Sequence, residues 1–271
     1  MKYKLLVLDI DGTVTNSDKD ITEKTKNAII KAQQNGVVAS LASGRPYAGM
    51  VRYAKELELE KYGGYVLSYN GGRVVNCKTG ETVFEKVIDK DGASEIYSLS
   101  KEFGVNIISY IDDYVVGEKM DKYFELECRI NKLEHKLVSN LLDEIKTPVP
   151  KFLMLGDGDY LAKIEGDIKA RLGEKYSVFR SEPFFLEIMP QSIDKAYSLN
   201  MLAKSLGIRQ DEVIACGDGF NDLSMISYAG LGVAMENAQQ SVKDVSDFIT
   251  LSNNNDGIAH VVEKFILMSA G

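Results

Sequence analysis

The sequence predicts an α/β protein whose doubly wound, Rossmann-like core of parallel strands is interrupted by an inserted α/β domain. Two observations support this fold class. Short β-branched or leucine-rich segments alternate with amphipathic segments near both ends of the chain, as in βαβ units around a parallel sheet. Beyond about Phe84 this alternation gives way to hairpin and helix segments, and it returns after Pro190. We therefore expect a core formed by residues 1–83 and 189–271 and an inserted domain at 84–188.

The N-terminal third is predicted to contain three strands separated by two helices. Apolar runs indicate the strands, and apolar residues at helical spacing indicate the helices. Gly36 is a stop signal after the first helix, and Asn70-Gly71-Gly72 forms a turn after the third strand. The predicted elements are strand 4–8, helix 22–34, strand 37–42, helix 46–57 and strand 65–69.

The inserted section is expected to form an independent α/β unit. Asp112 and Asp113 stand between two apolar runs and predict a hairpin turn. The predicted helices are 93–103, 132–145 and 161–172, and the predicted strands are 106–111, 114–118, 151–155, 176–180 and 184–188. The closing section of the core is predicted to contain helix 195–206, strand 213–216, helix 222–228, strand 232–235 and a last helix from Gly257.

The composition indicates a folded protein and argues against polyanionic partners. The chain has 271 residues, 45% of them hydrophobic, and a formal net charge of −8. This content can form a substantial core, which excludes collagen-like, disordered and coiled-coil classes. Negative charge repels nucleic acids at long range, and no run of five basic residues offsets it. We therefore expect no nucleic-acid partner.

The N-terminal apolar run ends at Asp9, well short of a signal-peptide core or of the roughly 20 residues that span a membrane. Cys77, Cys128 and Cys216 are widely spaced and predict ordinary thiols, with neither a disulfide framework nor a zinc site. We expect a soluble cytoplasmic protein without a membrane partner, present as a monomer or a weak homodimer.

The first chemical signal is Asp9-Ile10-Asp11-Gly12-Thr13, directly after the first strand. Open α/β sheets bind ligands at the carboxyl ends of strands, and side chains at i and i+2 of an extended segment share a face. Asp9 and Asp11 can therefore point into one crevice, where one could attack and the other move protons. The alternative is a simple turn or side-chain cap. A calcium loop is disfavoured, because Val14 and Asp20 stand where it needs glycine and glutamate.

A second acidic segment, Gly217-Asp218-Gly219-Phe220-Asn221-Asp222, also follows an apolar strand and opens a helix. If the two segments meet, four carboxylates converge, and unit charges ~4 Å apart repel by about 4 kcal/mol at an effective dielectric near 20. A divalent cation would remove that cost, and oxygen ligands without His or Cys favour Mg²⁺ over zinc. The alternative is a Gly/Asp-rich turn with Asp222 as a helix N-cap.

Two further segments could bind an anion. Ser43-Gly44-Arg45-Pro46 ends the second strand and opens a helix, so its hydroxyl and backbone N–H groups are placed to hold a phosphate. Lys195 opens a helix, where its charge is unfavourable to the helix dipole unless an anion lies nearby. The alternatives are an ordinary capping turn and a solvated surface lysine.

Together and in this order, the four segments resemble the motifs of the haloacid dehalogenase-like hydrolase superfamily. The resemblance covers most of the chain and is greatest to the Cof-type subgroup, in which a C2-type cap domain lies between the second and third motifs. Further Cof-like features are Asn70-Gly71, Gly232 to Met235 with Asn237-Ala238, and Ser252-Asn253 to Asp256-Gly257. Ala196 departs from the pattern, since relatives commonly carry glycine after the lysine; this puts no catalytic role in doubt.

The resemblance implies a Mg²⁺-dependent phosphatase that acts on a small phosphorylated metabolite, such as a sugar phosphate, through an aspartyl-phosphate. Asp9 would be the nucleophile and a metal ligand. Asp11 would be the general acid and base, oriented by Thr13, with its main-chain carbonyl on the metal. Asp218 and Asp222 would complete the metal site. The phosphoryl group would be held by Ser43, Gly44, Lys195 and Asn221, with Gly12 and Arg45 in support.

Two alternative functions stay open at this point. One is a phosphotransferase or phosphomutase that uses the same phospho-aspartate, which transfer to added sugars would reveal. The other is a non-catalytic Mg²⁺- or phosphate-binding protein, which loss of Asp9 or Asp11 would have supported; both are present. The inserted domain is expected to close over the leaving group and set specificity. Its candidate substrate contacts are the Asp112-Asp113 turn and segment 182–185.

Overall fold

The computed structural model describes residues 2–112 and 114–268, so Asp113 of the predicted hairpin turn lies outside the described residues. The chain divides into two compact units. The first comprises the described residues up to Glu85 and from Asp194 onward, and the second comprises Lys86–Ile193. The second unit ends beyond the expected residue 188 because its last strand runs through Pro190.

Strands and helices alternate along most of the described chain. The strands are β1 (Leu5–Leu8), β2 (Val38–Ala42), β3 (Tyr65–Ser68), β4 (Arg73–Asn76), β5 (Thr82–Glu85), β6 (Asn106–Ile111), β7 (Tyr114–Gly117), β8 (Glu134–Leu137), β9 (Phe152–Leu155), β10 (Tyr176–Glu182), β11 (Phe185–Pro190), β12 (Val213–Gly217), β13 (Leu231–Ala234) and β14 (Phe248–Ile249). The helices are α1 (Glu23–Gln34), α2 (Tyr47–Glu56), α3 (Leu59–Tyr62), α4 (Lys90–Glu102), α5 (Lys122–Asn131), α6 (Leu141–Glu144), α7 (Gly158–Leu172), α8 (Lys195–Ser205), α9 (Leu223–Tyr228), α10 (Gln240–Asp244) and α11 (Gly257–Val262). None of the helices in the described ranges combines the length and apolar character needed to cross a membrane.

The sheet of the first unit has the order β14-β13-β12-β1-β2-β3-β4-β5. Neighbouring strands from β14 to β3 are parallel, whereas β4 and β5 are antiparallel additions. Leu8, the last residue of β1, is level with Cys216 of β12 and Leu41 of β2. The loops that follow these three parallel strands therefore emerge at the same edge of the sheet. All β1 side chains are buried, as expected for a strand covered on both faces.

The first helix forms where the sequence predicts it. Thr22 caps α1, because its hydroxyl oxygen accepts the backbone N–H of Thr25 at 3.2 Å. Ile29 and Ala32 are buried on the apolar face, and the helix packs against α11. Gly36, with φ +87°, adopts the left-handed conformation that ends the segment.

The second unit contains a separate sheet of order β10-β11-β9-β6-β7-β8. Its neighbours are antiparallel except for β7 and β8, which are parallel. One apolar cluster joins strand residues such as Ile107 and Phe152 to helix residues such as Ile96 and Leu161. The predicted fold class is therefore confirmed as a mixed α/β protein with a parallel-rich sheet and a second sheet in the inserted section.

The predicted helix 132–145 is wrong. Asp121 begins α5 by accepting the backbone N–H groups of Tyr123 and Phe124, each at 2.9 Å, and Lys132 ends it in a left-handed conformation with φ +53°. The predicted segment therefore starts at a helix end and continues into β8 and α6. All four β8 side chains are exposed at the edge of the sheet, so their pattern carries little information about the core.

Candidate active site

The loops that follow β1 and β12 meet at the edge of the first sheet. Asp9 is buried, and its backbone N–H donates to the Cys216 carbonyl at 3.0 Å. Gly12 has φ +83°, and a Cβ added there would lie 2.4 Å from Oδ2 of Asp218. Glycine is therefore required at position 12, both by the backbone conformation and by the close approach of the second loop. The structure thus brings the two predicted acidic segments together.

Three carboxylates gather at this junction. Carboxylate oxygens of Asp9, Asp218 and Asp222 all lie within 4.8 Å of one another. Asp222 is fully buried, and its Oδ2 accepts the backbone N–H groups of Asp218 at 3.0 Å and Gly219 at 2.9 Å. The turn after β12 therefore folds around the Asp222 carboxylate, which fixes the direction of Asp218.

Lys195 provides the positive charge of this cluster. The side chain is fully buried, and its Nζ lies 2.6 Å from Oδ1 of Asp9 and 2.5 Å from Oδ1 of Asp222. Asp194 begins α8 by accepting the backbone N–H of Tyr197 at 2.7 Å, so Lys195 occupies the first turn of the helix. The interpretation of Lys195 as a solvated surface residue is wrong, since the anionic partners inferred from its position are Asp9 and Asp222.

The ionisable groups of this cluster have pKa values that are shifted from their ordinary values. Burial, followed by the charge of Asp222, raises the pKa of Asp9 well above its ordinary value despite the opposing effect of Lys195. The same two causes raise the pKa of Asp218 to about 6. Burial alone would lower the pKa of Lys195, but Asp222 and Asp9 raise it above its ordinary value. Lys195 is therefore positively charged, while Asp9 and Asp218 each lie close to other carboxylates of the cluster.

The donor atoms of this cluster fit a hard divalent cation. One ammonium group faces three carboxylates, which leaves an excess of negative charge when all are ionised. Oxygen donors of this kind suit Mg²⁺, and no His or Cys belongs to the group found among the described residues. A bound cation would offset both causes of the raised pKa values of Asp9 and Asp218, which are burial and then the charge of Asp222.

Asp11 makes a different set of contacts from Asp9. Its carboxylate accepts three hydrogen bonds, from Nε of Arg45 at 2.7 Å, from Nη2 of Arg45 at 2.9 Å and from Nζ of Lys19 at 2.9 Å. Burial would raise the pKa of Asp11, but Arg45 and then Lys19 lower it to about 2. Asp11 is therefore held as an ionised carboxylate in this conformation.

Thr13 does not play the part expected from the sequence. Its hydroxyl donates to Oδ1 of Asp218 at 3.0 Å. A hydroxyl has one proton to donate, so this bond directs it to the acidic loop after β12, whereas Arg45 and Lys19 orient Asp11. The expectation that Thr13 orients Asp11 is corrected accordingly.

The predicted phosphate-binding turn adjoins the same sheet edge. Ser43 is buried directly after β2, and its Oγ accepts the backbone N–H of Arg45 at 3.2 Å. A Cβ on Gly44 would lie 3.1 Å from Oδ1 of Asn70, so the amide of Asn70 packs against this turn. The same Oδ1 accepts Nδ2 of Asn221 at 3.0 Å. Ser43, Gly44 and Asn221 are thus linked through Asn70.

The sequence did not assign roles to several residues that support the site. Nδ2 of Asn237 donates to the Gly12 carbonyl at 2.8 Å, and Oδ1 of Asn237 accepts the backbone N–H of Asn253 at 2.9 Å. Lys19 and Asn70 were also missed. Asn70, Asn237 and Asn253 lie in the Cof-like segments, which was a signal of their importance but not of their contacts.

Comparisons with known proteins define the class of this chain. The profile of the family described as haloacid dehalogenase-like hydrolase matches residues 6–262. The chain therefore belongs to the haloacid dehalogenase-like hydrolases, and the Cof-type resemblance seen in its motifs is confirmed.

Individual relatives match over nearly their whole length. A Bacillus subtilis protein named "Putative phosphatase YxeH" is 35% identical over 98% of this chain and 99% of its own. The B. subtilis protein named 5-amino-6-(5-phospho-D-ribitylamino)uracil phosphatase YcsE is 26% identical over 97% of this chain and 96% of its own. A solved structure is also similar, that of a haloacid dehalogenase-like hydrolase from Bacteroides thetaiotaomicron. Its sequence is 44% identical to this one, the match covers 98% of this chain and 100% of the other, and the two structures superpose with a TM-score of 0.94.

Proposed function

We propose that this protein is a Mg²⁺-dependent phosphatase that hydrolyses a small phosphorylated metabolite through an aspartyl-phosphate on Asp9. The observation that carries the proposal is the position of the Lys195 ammonium, 2.6 Å from Asp9 and 2.5 Å from Asp222, beside a third carboxylate at the carboxyl end of β12. Such a cluster pairs a carboxylate nucleophile with positive charge for a phosphoryl group.

In the first step, a carboxylate oxygen of Asp9 attacks phosphorus, and the bond from phosphorus to the leaving oxygen breaks. Asp11 gives a proton to that oxygen. Ser43, Gly44, Asn221 and Lys195 hold the phosphoryl oxygens as their charge redistributes. Mg²⁺, held by Asp9, Asp218, Asp222 and the main-chain carbonyl of Asp11, would supply further positive charge at the phosphoryl group.

In the second step, water attacks the phosphorus of the aspartyl-phosphate and Asp11 accepts its proton. The acyl-phosphate bond breaks, which returns Asp9 as a carboxylate and releases inorganic phosphate. The ion pair with Arg45 and Lys19 holds Asp11 ionised, with a pKa of about 2. For proton donation in the first step, the Asp11 carboxylate must therefore leave this ion pair and take up a proton from solvent before the leaving oxygen departs.

A sugar phosphate or a similar metabolite is the substrate class that we propose. The relative YcsE is named for a phosphorylated ribityl compound, which supports a small polyhydroxylated substrate. The net charge of −8 does not oppose such an anion, because Lys195, Arg45 and a bound cation act at contact distance. Charges farther away are screened over ~8–10 Å at physiological salt.

A substrate panel tests this proposal. Purified protein is incubated with phosphorylated sugars and other metabolites, with Mg²⁺ or with a chelator, and released phosphate is measured. We expect Mg²⁺-dependent release that Asp9→Asn abolishes, whereas the surface variant Asp18→Asn retains it. Added sugars serve as competing acceptors, so transfer in place of release would identify a phosphotransferase. Activity that survives Asp9→Asn contradicts the aspartyl-phosphate, and activity that survives chelation contradicts the metal assignment.

A further inference from the structure

The turn after β3 has an unusual backbone conformation. Tyr69, Asn70 and Gly71 have φ values of +54°, +53° and +95°. The left-handed region costs free energy for residues with a side chain, and a bulky residue such as tyrosine is rarely found there. Such conformations persist only where surrounding contacts hold them, and they concentrate at functional sites. We therefore expect this turn to place one of its side chains in the candidate site.

Contacts from two parts of the candidate site hold this turn. The backbone N–H of Tyr69 donates to the Arg45 carbonyl at 3.0 Å, and that of Asn70 donates to the Ser43 carbonyl at 2.9 Å. On its other side, the Gly71 carbonyl accepts a hydrogen bond from the Ser198 hydroxyl of α8. The turn is thus fixed between the Ser43 segment and the helix that carries Lys195.

The result of this conformation is the placement of the Asn70 amide. Oδ1 of Asn70 accepts Nδ2 of Asn221 at 3.0 Å, and the amide lies against the backbone of Gly44. An asparagine amide presents a donor on one side and an acceptor on the other, so this hydrogen bond selects one orientation of the Asn221 amide. Asn221 is exposed, so packing alone does not fix its amide.

We infer that Asn70 is a positioning residue that orients Asn221, beside the Ser43-Gly44 turn, for the phosphoryl group. The inference rests on the proposed function, in which those residues hold phosphoryl oxygens. Asn70 thus contributes to the reaction through its neighbours, since none of the contacts with Asp9 described above involves it. The strained turn is the structural cost of placing this amide.

The Asn70→Gly variant removes the side-chain amide without adding backbone strain, so the loss of the amide can be measured by itself. Glycine adopts φ +53° without penalty, so we expect a melting temperature equal to or above that of the unchanged protein. Loss of the amide should lower kcat by about tenfold with a smaller change in KM, because orientation of transition-state contacts is lost. Glu58→Gly is the matched control. Glu58 has φ +54° but lies directly before α3, outside the turn that follows β3. Its kcat should stay within about twofold of wild type.

A double-mutant cycle tests whether Asn70 acts through Asn221. Asn70→Ala should lower kcat in the unchanged protein and change it by less than about twofold in the Asn221→Ala background. Full additivity of the two alanine substitutions, or an unchanged kcat for Asn70→Gly, overturns the assignment.

Binding of inorganic phosphate in the presence of Mg²⁺, measured by calorimetry, gives a readout that does not depend on turnover. We expect the dissociation constant to rise by about fivefold or more for Asn70→Gly, the size of one lost hydrogen-bond arrangement, and to be unchanged for Glu58→Gly. Equal affinities in all three proteins overturn the assignment of Asn70. Phosphate binding that depends on Asn70, in a protein that hydrolyses no ester, would instead contradict the proposed function alone.

Discussion

Arg45 holds both carboxylate oxygens of Asp11, with Nε 2.7 Å from Oδ2 and Nη2 2.9 Å from Oδ1. This bidentate geometry is the strongest form of ion pair between these groups. It joins the segment after β2 to the segment after β1, which are the second and first motifs of the site. The same contact lowers the pKa of Asp11, so it controls the charge of the residue proposed to transfer protons.

Arg45→Ala should raise the pKa of Asp11 above its value of about 2, because the largest stabilising partner of the carboxylate is removed. Lys19→Ala should raise it less, since the bidentate contact remains. A lowered pKa stabilises the folded state above the ordinary carboxyl pKa of 3.8, and this contribution is lost as the pH falls toward 2. Arg45→Ala should therefore destabilise the protein more at pH 6 than at pH 3. Carbon-detected NMR titration of Asp11 and denaturant unfolding measure both effects; an unshifted pKa contradicts the prediction.

Lys195→Met should destabilise the protein strongly while preserving most of the side-chain volume. Removing one partner of a buried ion pair costs about 3–5 kcal/mol, because the remaining charges stay buried without compensation. Asp9 already has a raised pKa, which should rise further without Lys195, so protonation should relieve part of the loss. We expect urea unfolding to show a larger destabilisation at pH 8 than at pH 5. Lys175→Met, at an exposed ion pair with Glu95, is the control and should cost much less stability. Equal losses for the two variants would count against the buried pair.

The sequence predicts the strands that bear the site better than the contacts within it. Buried strands such as β1 and β12 appear as short apolar runs, and the acidic residues directly after them mark the site. The contact from Asn237 to Gly12 joins residues 225 positions apart, and that from Asn221 to Asn70 spans 151 positions. No local pattern encodes such side-chain bonds, because they depend on the tertiary placement of left-handed turns.

The wrong prediction of a helix at 132–145 has a local cause. Lys132 ends α5 in a left-handed conformation that glycine or asparagine usually marks, so position 132 carries no helix-stop signal. The following strand β8 lies at a sheet edge with all its side chains exposed, and therefore lacks the apolar alternation that identifies half-buried strands. The predicted helix therefore joined β8 and α6, two short and separate elements, into one.

Mg²⁺ should raise the melting temperature of the protein, since a ligand that binds only the folded state stabilises it by mass action. The gain is about 2.7 kcal/mol at a ligand concentration one hundred times the dissociation constant. Asp218→Asn should remove most of this shift. Protons compete with the metal, so the shift should weaken below the Asp218 pKa of about 6. Thermal scans at pH 5 and pH 8, with NaCl at matched ionic strength as the control, measure it. A melting temperature that Mg²⁺ leaves unchanged at pH 8 is incompatible with the proposed site.

Gly12→Ala should disrupt the junction of the two acidic loops, because the added Cβ would lie 2.4 Å from Oδ2 of Asp218. Gly36→Ala is the matched control, since Gly36 has a similar φ of +87° but nothing within 4 Å of the added atom. The left-handed backbone alone costs about 1–2 kcal/mol, so both variants should lose this much stability. Only Gly12→Ala should lose further stability and the Mg²⁺-dependent rise in melting temperature, because only there must Asp218 move. Denaturant unfolding and thermal scans with Mg²⁺ compare the two variants directly. Equal behaviour would mean that Asp218 can move without cost, and that the close approach at Gly12 does not position the metal ligand.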